Sequence, residues 1–131
     1  MTRSSADPLQ SMQAEKRPMT VTLQDLFAQL REDVSVLSAL DGAGADFDKE
    51  HDVEHFFVAE DKARLADLAE LLEPLGYQPD EPDEIEGKYG VRVVSRQAID
   101  VHRLLRETIL MRLVGEVLGI SYDGWGAAAE S

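Results

Sequence analysis

The chain has 131 residues, 44% of them apolar, with 26 acidic and 13 basic side chains and no cysteine. That is the composition of an ordinary globular domain with a modest core, and it excludes a disulfide framework, a thiol nucleophile and a thiolate metal site. The formal charge of −13 sets the surface against nucleic acid and anionic membranes and in favour of basic partners.

Residues 1–20 are polar, rich in Ser, Gln and Pro, and lack the apolar core of a signal peptide. They read as a disordered leader, with residues 21–131 as a single domain. No apolar run is long enough to span a bilayer, and the absence of cysteine fits the cytoplasm.

Thr22 is placed to cap a helix over 23–40, with Asp25 adding negative charge in its first turn. Leu23, Leu26, Phe27, Leu30, Val34 and Leu37 fall at helical spacing and predict its buried stripe. Asp41-Gly42 is the expected stop. A loop follows, and residues 51–58 read as a strand with Val53, His55 and Phe57 on one face and Glu54, Phe56 and Val58 on the other. Glu60 or Asp61 opens a helix to residue 75, with Leu65, Leu68, Ala69 and Leu72 inward and Pro74 and Gly76 marking its end.

Residues 76–82 make only an edge or irregular strand, because Pro79 and Pro82 remove backbone donors. Residues 80–88 are then the hairpin loop. Residues 89–97 form a better strand, with Val91 and Val93 opposite Arg92, Val94 and Arg96. Asp100 caps a helix through Leu118, stopped by Gly119. Its second half, 109–118, is apolar nearly all round and is expected to be sandwiched between neighbours, with the N-terminal helix against it. Residues 120–122 begin a last strand. The order is a helix followed by β-α-β-β-α-β. It predicts an α+β, ferredoxin-like two-layer sandwich: an antiparallel sheet with helices on one face and an extra N-terminal helix.

Several clusters have residue types that carry chemistry. His51 and His55 on one strand face lie roughly 13 Å apart at the strand rise, too far to share one zinc ion with Asp52 and Glu54. Asp46, Asp48 and Glu50 alternate as in a calcium loop, but His51 replaces the required Gly and Phe57 the final acid. His55 reads as a hydrogen-bonded core histidine rather than a catalytic one. No serine nucleophile elbow or phosphate-cradling glycine loop is present. Arg92 and Arg96 share a strand face and could track RNA phosphates, but the aromatic motif of an RNA-binding sheet is missing. Pairing with acids on neighbouring strands explains them more simply. No metal, cofactor or catalytic residue is assigned.

Three ordered motifs stand out: Val53-Glu54-His55-Phe56-Phe57, Leu75-Gly76-Tyr77 and Tyr122-Asp123-Gly124-Trp125. Together they resemble the regulator of ribonuclease activity B family, small bacterial inhibitors of ribonuclease E, over about residues 26–126. The resemblance implies a non-enzymatic protein that binds ribonuclease E and modulates RNA processing and decay, without binding RNA itself. Relatives can carry a long acidic C-terminal tail; here either the acidic loops 46–54 and 80–86 replace it, or the regulatory role is lost while the fold persists. Glu54, Phe56, Tyr122, Asp123 and Trp125 are the expected partner-binding residues. Trp125, the only Trp, has two compatible roles: folding back over the sheet end beyond an Asp123-Gly124 turn, or anchoring a partner. The alternatives are an acidic adaptor for an unrelated basic protein and, third, a small enzyme.

Overall fold

The computed structural model describes residues 21–128, so the expected leader at 1–20 lies outside the described residues. Helix α1 spans Leu23–Gly42. Its first turn is closed by a reciprocal capping box: the Asp25 N–H donates to the Thr22 hydroxyl at 3.1 Å, and the Thr22 N–H donates to the Asp25 carboxylate at 2.9 Å. The helix runs through Gly42, and the left-handed glycine comes later, at Gly44.

Strand β1 (Glu50–Ala59) lies between β4 (Lys88–Ala98) and β5 (Ser121–Ala127) and is antiparallel to both. Between them come α2 (Lys62–Leu72, capped by Asp61), a short 3-10 turn at Glu73–Leu75, β2 (Gln78–Pro79) and β3 (Asp83–Ile85). Helix α3 spans Val101–Leu118, with the Asp100 carboxylate accepting the His102 and Arg103 N–H groups. The strand order is β2-β4-β1-β5, and β3 also pairs with β4. Among the described residues, three helices and an open, five-stranded antiparallel sheet make the α+β two-layer sandwich that the element order predicts.

The fifth strand is a departure. Residues 80–88, expected as a loop, contain β3 and a tight turn at Glu86-Gly87. Both turn residues have positive φ, 52° and 82°, and Ile85 pairs with Lys88 across them. That is the backbone of a two-residue hairpin whose twist matches the strands. Asn-Gly or Asp-Gly advertises such a turn; Glu-Gly does not.

Alternation sets the two sides of the sheet. Val53, His55 and Phe57 are buried, and Val91 and Val93 pair with Phe57 and His55 on the same side. Leu65, Leu68 and Leu72 of α2 and Met111 of α3 pack there with Phe57, Val91 and Val93. Leu37 and Leu40 of α1 pack with Val53, Leu104 and Trp125. All three helices therefore cover one face.

Two expectations for the helices fail. The buried residues of α1 are Gln29, Asp33, Leu37 and Leu40, while Leu23, Phe27 and Val34 of the expected stripe are exposed. The second half of α3 is not sandwiched: Met111 and Gly115 are buried, but Leu110 and Val117 are exposed. Helix α1 meets α3 through Leu104, Thr108 and, in the second half, Arg112, and it also meets β5. Gly115 lets α3 approach the sheet end, since a Cβ there would lie 2.9 Å from the Ile120 carbonyl oxygen.

The Asp123-Gly124 pair is not a terminal turn. His55 pairs with Trp125 and Phe57 with Tyr122, so β5 holds one residue more than β1 over that stretch. This is a β-bulge, with Gly124 at φ 98°. Residues three apart normally point to opposite faces of a strand. The bulge turns both Tyr122 and Trp125 to the covered side.

Gly124→Ala should therefore destabilise the protein by about 1–2 kcal/mol, the cost of a left-handed conformation for a residue with a Cβ. Gly126→Ala, where nothing lies within 4 Å of the added carbon, is the control. Urea denaturation midpoints check this; equal small losses at both positions would contradict the bulge.

Candidate functional site

Polar side chains gather in two places: beneath β1 among the helices, and on the uncovered face of the sheet. Beneath β1, His55 is fully buried. Its Nε2 is 3.3 Å from the Glu107 carboxylate and its Nδ1 is 2.8 Å from the Tyr122 hydroxyl. An ionised carboxylate only accepts, so the His55 Nε2 carries the hydrogen that Glu107 receives. Glu107, reaching up from α3, also accepts from Gln97 Nε2 at 2.9 Å and from Arg103 Nε at 3.3 Å. Tyr77 stands edge-on to His55, with centroids 6.0 Å apart.

These contacts perturb the acids. Burial pushes the Glu107 pKa up, but hydrogen bonds from His55 and Gln97, the charge of His55 and the Tyr77 hydroxyl together outweigh it. The net result lies below the ordinary 4.5. Burial raises the Tyr122 phenol, helped by the charges of Asp33 and Glu32, and raises Tyr77, helped by Glu107.

A second buried cluster joins α1 to this region. Asp33, fully buried, accepts the Trp125 indole N–H at 3.1 Å, the Gln29 amide at 3.0 Å and the Thr108 hydroxyl. Arg112 Nε donates to Gln29 at 3.3 Å. One buried acid thus ties α1 to both β5 and α3.

Of the residues expected to meet a partner, Trp125 is buried and Tyr122 packs against the core beside Phe57, with ring centroids 5.1 Å apart. Their polar atoms face inward. Glu54, Phe56 and Asp123 are the three at the outer surface: Phe56 is exposed, Asp123 is exposed, and Glu54 is partly so. Each of the three motifs supplies a side chain to the surroundings of His55.

The uncovered face is charged. Arg92 Nε donates to Asp80 at 2.6 Å and Arg92 Nη1 to Glu54 at 3.2 Å; Arg96 Nη1 donates to Asp52 at 3.2 Å. The arginines pair with acids on neighbouring elements, as the simpler sequence reading expects. Phe56 lies beside Arg92 in register, and Asp123 belongs to the bulge across from Phe56 on β5. A separate cleft of about 650 Å³ opens among Glu60, Asp61, Arg64, Lys88 and Ser121; it holds none of the expected site residues.

Among the described residues, no group of three or more His, Cys, Asp or Glu side chains could hold a metal ion. His51 is buried on separate business, with Nε2 2.7 Å from the Asp46 carbonyl oxygen and Nδ1 3.2 Å from that of Ala128. Asp46 itself builds the turn before β1, its carboxylate accepting the Asp48 N–H at 3.0 Å.

Asp33, Glu107, Gln29 and Thr108 escaped the sequence reading. The available signal is a mixed stripe: Gln29, Asp33, Leu37 and Leu40 are themselves at helical spacing. Polar residues at such positions are normally assigned to solvent.

A family model described as regulator of ribonuclease activity B matches residues 30–127. A regulator of ribonuclease activity B from Idiomarina loihiensis is 33% identical over 118 residues, covering 86% of this chain and 89% of its own. Proteins of the same name from Xenorhabdus nematophila (30% identical, 78% of this chain and 76% of that one) and Proteus mirabilis (33%, 79% and 76%) are also similar.

Trp125→Phe should cost about 1–3 kcal/mol, because it keeps most of the ring but leaves the Asp33 carboxylate one donor short. Trp125→Ala should cost about 3–5 kcal/mol as a large core truncation. Chemical denaturation measures both; a change within about 0.5 kcal/mol for Trp125→Ala, typical of a surface site, would contradict the pinned indole. Glu107 sets a pH dependence. Its folded pKa is depressed, so its contribution is present above 4.5 and is lost as pH falls through the folded value. Stability followed below pH 4.5 should therefore fall less steeply in Glu107→Gln than in the native protein. Parallel curves would show that Glu107 does not report on the fold.

Proposed function

This chain belongs to the regulator of ribonuclease activity B family, and on that premise we propose that it is a protein inhibitor of ribonuclease E. It binds the nuclease in the cytoplasm and restrains RNA cleavage, performing no chemistry of its own. One observation carries this reading. The ionisable cluster with catalytic residue types, His55 and Glu107, is closed off beneath the sheet by Tyr77, Gln97 and Tyr122. A base and acid held there cannot reach a substrate. What solvent meets instead is a carboxylate-rich surface on a chain of net charge −13, suited to a basic protein and repelled by RNA. Glu54, Phe56 and Asp123 are the binding residues that this surface offers, with Tyr122 and Trp125 supporting them from below.

Purified protein should slow cleavage of a labelled RNA by ribonuclease E. The inhibition should weaken several-fold as ionic strength rises from about 0.05 to about 0.5 M, because screening shortens the reach of surface charge. An unchanged rate at saturating protein, or tight direct binding of the RNA, would contradict the proposal.

A further inference from the structure

The uncovered sheet face carries a more specific assignment, which rests on the inhibitor reading above. We infer that this face is the docking surface for an arginine-rich segment of the nuclease, and that Arg92 holds its carboxylates until the segment displaces it.

Three features of the face point this way. The first is charge. Asp52, Glu54, Asp80 and Asp123 are four carboxylates at or beside a patch that contains two guanidiniums, Arg92 and Arg96. Arg92 is shared between Glu54 and Asp80, so neither acid has a full partner in it. The second is exposure. The side chains of Arg92, Asp80, Arg96 and Asp52 are each about half exposed, and Glu54 is the more covered at 24%. Ion pairs held this way in water contribute little and exchange readily, so an incoming guanidinium can take the acids from Arg92. The third is Phe56. It is a large aromatic on the solvent side of the middle strand, in register with Arg92. An aromatic face beside carboxylates suits arginine, whose planar cation stacks on the ring while its N–H groups fork to an acid. Lysine offers neither the plane nor the fork.

The internal pairs show the geometry that the partner would copy. Arg92 reaches Glu54 and Asp80 on either side of β4, and Arg96 reaches Asp52 one step along the same strand pair. The face is thus already built to receive guanidinium groups, and it receives its own when unbound. RNA fits it less well. RNA would need the arginines free for phosphate, and they are engaged with acids that repel phosphate.

The two ligand classes predict opposite signs for one substitution. Removing the Arg92 charge frees acids for a cationic segment but removes a contact from RNA. The native protein, Arg92→Gln, Glu54→Gln, Phe56→Ala and a control on the helix layer, Glu70→Gln, are titrated by fluorescence anisotropy. The probes are a labelled nona-arginine peptide and a labelled single-stranded RNA; inhibition of purified ribonuclease E is measured in parallel. For the peptide, Glu54→Gln and Phe56→Ala should weaken binding roughly five-fold or more, and Arg92→Gln should tighten it roughly three-fold or more. Glu70→Gln should stay within about two-fold, as expected of a rim or remote charge. Unchanged melting temperatures confirm that the variants are folded. Weaker peptide binding by Arg92→Gln overturns the inference, as does native-like binding by Glu54→Gln and Phe56→Ala. RNA binding that Arg92→Gln abolishes also overturns it and assigns the face to RNA. If the native protein inhibits the nuclease and every variant does so equally, the inhibitor reading stands and this docking face is wrong. If the peptide shows the expected signs and the nuclease is unaffected, the face takes arginine-rich segments but the inhibitor reading, and with it the nuclease as the partner, is wrong.

Discussion

One extra residue in β5 decides how the two layers of this protein meet. Without the bulge at Asp123-Gly124, strand alternation would send either Tyr122 or Trp125 to the solvent side. With it, both point inward and each meets a buried polar group. Tyr122 completes the His55 cluster, which holds Glu107 of α3 under β1. Trp125 completes the Asp33 cluster, which holds α1 against β5 and α3. A buried polar group left short of a partner costs about 1–3 kcal/mol, whereas an exposed ion pair such as Arg96 with Asp52 is worth about 0.2–1 kcal/mol. The position of the helices therefore depends on the bulge and its two aromatics more than on the salt bridges that decorate the outer face.

The motif residues divide between the two sides of the sheet. His55, Tyr77, Tyr122 and Trp125 come from three stretches of sequence and converge beneath one strand. They build the scaffold on which the sheet and helices meet. Next to them in sequence, and on the opposite side of the sheet, Glu54 and Phe56 have no structural duty of that kind. The same strand thus carries the buried cluster on one face and the charged surface on the other, with the alternation of a single strand keeping them apart.

Local signals were read reliably from sequence. Thr22, Asp61 and Asp100 cap their helices with the side-chain bonds that their residue types predict, and the alternation of 53–58 places every side chain on its observed face. What failed depended on distant partners. Gln29 and Asp33 look like solvent-facing residues until Thr108, Arg112 and Trp125, more than seventy positions away, supply their hydrogen bonds. The apolar stripe expected of α1 is right only in part: Leu37 is buried and Leu26 and Leu30 are half-buried, but Leu23, Phe27 and Val34 face solvent. The direction of Trp125 was similarly hidden. Asp-Gly fits a turn and a bulge equally well in sequence, and only the pairing of Phe57 with Tyr122 and His55 with Trp125 tells them apart. For the candidate site, the exposure of Glu54 and Phe56 was legible from alternation, while the bridging of Glu54 and Asp80 by Arg92 was not.

Binding through the outer sheet face, with the motif aromatics supporting it from beneath, is the reading on which the proposed inhibition rests. It is tested most directly by amide and indole NMR of the labelled protein titrated with ribonuclease E. Resonances of Asp52, Glu54, Phe56, Arg92 and Asp123 are expected to shift or broaden first, while the Trp125 indole N–H keeps its position and its protection from solvent exchange. A Trp125 indole that shifts and loses protection, while the outer face stays unchanged, would contradict it.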